Sequence, residues 1–86
     1  MEKNLLKQKN LTALDKLFIM TVLQYDEFKI PCTLTSQDFA SALGVSRKSI
    51  LDVIAKLEEM DYIRCKVVAP TRQTTLTDRL YNLLDN

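Results

Sequence analysis

The chain has 86 residues, a net charge of +1, one glycine and neither histidine nor tryptophan. Its 47% apolar and 27% charged residues exclude a disordered chain, and the length allows one domain with a small core. The missing histidines remove a histidine general base and His-ligated zinc, and a single glycine removes phosphate-cradling loops.

No Ser-His-Asp or Cys-His pair can form, so the composition points to a binding module, not an enzyme, with no cofactor and no metal. No apolar run of about 18 residues occurs, which removes a membrane-spanning helix. The start offers Leu5 and Leu6 but no hydrophobic signal core, so a cytoplasmic location is expected. Cys32 and Cys65 have no CxxC spacing and read as small buried hydrophobes.

Residues 1–10 are polar and read as a flexible N-terminal arm or a short extra helix turn; residues 11–86 form the single domain. Thr12 and Asp15 have the spacing of a capping box, so a helix starts there. One face of it collects Leu11, Leu14, Leu17, Phe18, Thr21, Val22, Tyr25 and Phe28. The opposite, polar face holds Asp15, Lys16, Asp26 and Glu27, with Ile19, Met20 and Leu23 embedded in it. Pro31 disfavours helix at Ile30 and stops it. Cys32-Thr33-Leu34 suits one brief strand.

Thr35 and Asp38 cap a second, short helix that runs to about Leu43. Gly44 follows where a helix end needs positive φ. Ser46 caps a third helix over 47–60, with Ile50, Val53, Ile54 and Leu57 as its apolar stripe. Residues 62–68 alternate as a half-buried strand, residues 69–72 turn, and residues 73–76 return as a second strand. Thr77 and Asp78 cap a last helix. The expected class is mainly α with a small antiparallel sheet, in the order α-β-α-α-β-β-α.

The stretch from Phe39 to Val53 carries the functional signal. Two short-linked helices that cross steeply need a small residue at their contact, and Ala40 is there. The turn needs positive φ, and Gly44 supplies it four residues later. Val45 plugs the turn, while Phe39, Leu43, Ile50 and Val53 tie both helices to the core. This pattern is a helix-turn-helix.

With that motif on the page, the span from Leu11 to Leu84 resembles a winged helix-turn-helix domain. The segments 34–40 and 57–63 resemble MarR-type regulators and the winged-helix domains of plasmid and phage replication proteins. Leu76-Thr77-Asp78 is similar to the junction after the wing in the MarR type. The chain departs from such domains at Met60-Asp61-Tyr62, where they usually have glycine; aspartate tolerates the left-handed conformation better than most residues.

The resemblance implies that the third helix enters the DNA major groove. Carried over, the candidate contacts on it are Ser46, Arg47, Lys48, Ser49, Asp52 and Lys56. Arg47 suits a bidentate guanine contact, and Lys48 a phosphate or a guanine. Ser36 and Gln37 open the second helix, whose N-terminus can take a phosphate. Arg64, Lys66 and Arg72 fall on the outward face or tip of the wing. The resemblance also implies that the brief strand pairs with the second hairpin strand. Cys32 and Cys65 would then stand about two strand spacings, ~10 Å, apart, too far for a disulfide.

Residues 45–72 carry six cations against four anions, whereas residues 10–44 carry two against four. The polarity suits an oriented DNA binder, but one copy neutralises few phosphates. A homodimer is therefore expected. Leu5, Leu6, Ile19, Leu23, Leu80, Tyr81, Leu83 and Leu84 are the apolar residues available for its interface. The leading expectation is a small homodimeric, sequence-specific double-stranded DNA-binding protein acting as a transcriptional repressor. A DNA-binding adaptor in plasmid or phage replication or segregation uses the same chemistry. A winged helix that binds protein is the third reading, from the near-neutral charge and the surplus apolar residues.

Overall fold

The computed structural model describes Leu5, residues 7–68 and residues 71–85. Among the described residues, four helices and a hairpin follow one another: α1 (Ala13–Glu27), α2 (Ser36–Leu43), α3 (Arg47–Glu59), β1 (Ile63–Val68), β2 (Thr71–Leu76) and α4 (Asp78–Asp85). The hairpin is antiparallel and pairs Ile63 with Leu76 and Cys65 with Thr74. The strand expected at Cys32-Thr33-Leu34 is reduced to one bridge, in which the Cys32 carbonyl accepts the Thr74 N–H at 2.9 Å. The chain turns into the cap at Thr35 directly afterwards, leaving no room for a longer ladder. This is the winged-helix arrangement, with α2 and α3 as the helix-turn-helix and the hairpin as the wing.

The helices start where side chains replace missing backbone partners. Thr12 and Asp15 close a full capping box on α1, and Thr35 and Asp38 close another on α2. Ser46 caps α3 by accepting the Ser49 N–H at 3.1 Å. The ends share a device as well. Lys29, Gly44 and Asp61 adopt positive φ of 57°, 70° and 60° after α1, α2 and α3. In each case the next residue donates back across the last turn: Ile30 to Tyr25, Val45 to Ala40 and Tyr62 to Leu57, at 2.9, 3.0 and 2.9 Å. These are Schellman closures. Only one of the three uses glycine.

The core gathers Phe18, Ile19, Val22 and Leu23 of α1, Phe39 and Ala40 of α2, and Ile50, Val53, Ile54 and Leu57 of α3. Phe18 and Phe39 stack with ring centroids 4.3 Å apart, joining α1 to α2. Thr77 locks α3 to α4: its hydroxyl donates to the Asp61 carbonyl at 2.6 Å and accepts the Leu80 N–H at 3.3 Å. Cys32 and Cys65 are free thiols on either side of Thr74, as the winged-helix pairing implies. Burial pushes both thiols above their ordinary range.

Two expectations change here. The rotation of α1 differs: Ile19 and Leu23 face the core, while Leu17 and Phe28 are 47% and 75% exposed. Apolar residues occupy most of the circumference of α1, so periodicity alone leaves its rotation open. The surface expected between copies is also internal. Leu5, Ile19, Leu23, Leu80 and Leu84 are all buried within the single chain. Leu83 is half-buried against the same core. The arm is anchored at Leu5; Leu6 lies outside the described residues. Tyr81 is half-buried, and its hydroxyl donates to the Asp26 carboxylate.

The left-handed ends give a paired stability test. A Cβ on Gly44 meets nothing within 4 Å, so Gly44→Ala costs only backbone strain, about 1 kcal/mol. Lys29→Gly removes similar strain and adds unfolded-chain entropy, for a net gain of about 0.5 kcal/mol. Urea denaturation should show one midpoint falling and the other rising; an equal loss in both contradicts the account.

Candidate nucleic-acid interface

The outward residues of α3 are set by the inward ones. With Ile50, Val53, Ile54 and Leu57 buried, Arg47, Lys48 and Asp52 stand in solvent. Ser46 and Ser49 are drawn together at the helix start, with their hydroxyl oxygens 2.9 Å apart. Ser46 is thus committed to capping, while the Ser49 hydroxyl stays half-exposed beside it.

The charge at this helix start differs from that of the other described helices. α1, α2 and α4 carry Asp15, Asp38 and Asp78 in their first turns, which matches the positive N-terminal end of a helix dipole. The first turn of α3 carries no acid and instead holds Arg47 and Lys48. Cations there oppose the dipole. Free backbone N–H groups, a positive helix end and two exposed cations together form an anion-accepting surface.

α2 contributes less. Its N-terminus is already occupied by the Asp38 carboxylate, which accepts the Thr35 N–H at 2.9 Å. Ser36 is half-buried, and Gln37 is exposed with its amide turned to Ser41 at 3.4 Å.

On the wing, Arg64 and Lys66 share a face with their partners Thr75 and Gln73. Both are exposed, and Arg64 reaches Asp61 only at 4.0 Å. Arg72 is exposed but pairs with Val67, so it lies on the opposite hairpin face. Of the three residues expected on the outward face or tip of the wing, Arg64 and Lys66 share one face and Arg72 stands beside the turn on the other. Lys56 differs from the other α3 candidates. It is not a free cation: its Nζ donates to Asp15 Oδ2 at 2.5 Å.

Asp15 also departs from its expected place. Helical spacing puts it on the polar face of α1, yet it is 2% exposed. Its capping spacing after Thr12 marks it as anchored, but nothing in the sequence names a partner 41 residues away.

Among the described residues, no group of three or more side chains could hold a metal, and no helix is long and apolar enough to cross a membrane. The comparisons fit this architecture. The helix-turn-helix domain family matches residues 9–63. No curated protein matches the chain. Among solved structures, a point mutant of S. aureus MepR aligns with a TM-score of 0.75 at 22% identity, over 93% of this chain and 58% of that one. The S. aureus MepR–DNA complex aligns with a TM-score of 0.73 at 21% identity, over 93% and 56%. A second MepR mutant, bound to an oligodeoxyribonucleotide, gives 0.75 at 20% identity, over 98% and 60%. The chain thus spans less than two thirds of these structures, and the likeness establishes the winged-helix fold. With the family match covering more than half of its length, the chain belongs to the helix-turn-helix domain family.

Proposed function

We propose that the chain binds double-stranded DNA in a sequence-specific manner and acts as a transcriptional repressor in the cytoplasm. The observation that carries this reading is the first turn of α3. Arg47 and Lys48 sit where a helix prefers carboxylates, and both are exposed. An arrangement that costs helix stability is explained by an anionic ligand. The DNA-bound MepR structures, of like fold, support a nucleic acid as that ligand. In this reading Arg47 contacts a base edge, Lys48 a phosphate or base, and Asp52 accepts from a cytosine amino group. Arg64 and Lys66 reach the backbone from one wing face, and Arg72 from the other. Occupancy of a promoter is the simplest way for such a domain to regulate.

The reading includes two copies on one duplex, because the free cations of one chain neutralise few phosphates. Their contact uses a surface other than Ile19, Leu23, Leu80 and Leu84, which the core consumes. A second reading rests on exposed Phe28, Ile30 and Val67, at 75%, 55% and 73%: a winged helix that docks a protein through apolar side chains.

Anisotropy titration of a duplex selected from a random pool, across a salt series, separates the readings. Binding should weaken steeply with salt. Arg47→Ala should cost about 1–3 kcal/mol of affinity. Lys48→Glu should abolish binding yet stabilise the fold by about 0.3–1 kcal/mol, because the dipole favours it. Lys48→Glu that lowers stability, or DNA binding indifferent to Arg47 and Lys48, contradicts the assignment. Light scattering of the complex should give two chains per duplex; one chain per duplex removes the dimer.

A further inference from the structure

Asp15 is the one buried carboxylate among the described residues. A single oxygen, Oδ2, accepts both the Thr12 N–H at 2.9 Å and the Lys56 ammonium at 2.5 Å. It therefore belongs to the start of α1 and to the last turn of α3 at once. The pair is asymmetric: Asp15 is 2% exposed, whereas the Lys56 side chain keeps 39% of its surface in solvent. Water weakens the attraction at the lysine end and desolvation of the carboxylate offsets part of the rest, so the pair adds little stability. What it supplies is geometry: the buried carboxylate ties the last turn of α3 to the start of α1 through a directional contact. Its place is telling. The pair borders a shallow groove of about 260 Å³ whose other lining includes Thr12, Ser49 and Asp52. Two of those, Ser49 and Asp52, are candidate DNA contacts on α3.

We infer that Asp15 is a positioning residue for DNA reading, and that Lys56 acts through it and not on a phosphate. The Asp15–Lys56 contact sets the angle at which α3 presents Arg47, Ser49 and Asp52. The inference rests on the DNA reading above.

The test measures affinity of the full chain for two duplexes across a salt series. One duplex is recovered from a random pool by the unaltered chain; the other has an unrelated sequence. Asp15→Asn keeps an acceptor for Thr12 and removes the charge, Lys56→Met removes the other partner, and the double variant removes both. Each single variant, and the double, should lose about tenfold on the recovered duplex, near 1.4 kcal/mol. The double should lose no more than a single, because the residues act as one unit. Lys56→Met should keep the salt slope and the affinity for the unrelated duplex. A Lys56→Met slope reduced by about one, with equal weakening on both duplexes, makes Lys56 a phosphate contact and overturns the inference. Unchanged affinity in Lys56→Met overturns it too, whether or not Asp15→Asn folds. An unaltered chain that binds neither duplex fails earlier and sinks the DNA reading itself.

Discussion

Burial of Ile50, Val53, Ile54 and Leu57 is the constraint on which the exposed face depends. Their spacing of three and four residues leaves α3 one way to meet the core. Arg47, Lys48 and Asp52 are then outside by geometry. Both ends of α3 are held as well. Gly44 in the left-handed conformation delivers the chain to the Ser46 cap, and Thr77 grips the Asp61 turn at the other end. A helix fixed by its stripe, its two ends and a buried charge has little freedom to roll. Readout of base edges demands that rigidity.

The electrostatics show where stability and function separate. The other described helices follow the rule of acids at helix starts, two of them completing capping boxes with aspartate. Among the described helices, only α3 breaks the rule. Local rules broken at one place in an otherwise consistent chain mark a site whose demands come from outside the fold. The net charge of +1 hides this, because it averages the acid-capped helices with the cationic first turn of α3 and the wing.

Much of this was legible in the residues. Thr12, Thr35 and Ser46 announced three helix starts, and Ala40 with Gly44 announced the turn between α2 and α3. Asp61 was read as a tolerable left-handed residue, and it has φ 60°. Lys29 gives no such sign, because lysine has no preference for positive φ and Pro31 by itself accounts for the end of α1. The rotation of α1 was misjudged because leucines and isoleucine surround it, and the core then took the residues assigned to a partner surface. The Asp15–Lys56 pair was invisible for a different reason. Periodicity reports faces of one helix, whereas a contact across 41 residues exists only once α1 and α3 are packed. Which hairpin face Arg72 takes beside the turn is a one-residue matter of register that residue types leave open.

The central claim is that the start of α3 and the wing together receive a DNA duplex. Amide chemical-shift mapping of the isotope-labelled chain, titrated at low salt with a duplex selected from a random pool, tests it most directly. The account predicts shifts concentrated in residues 46–52 and in the hairpin around Arg64, Lys66 and Arg72. A spectrum that does not respond, or one that responds around Phe28 and Ile30 while α3 stays silent, contradicts it.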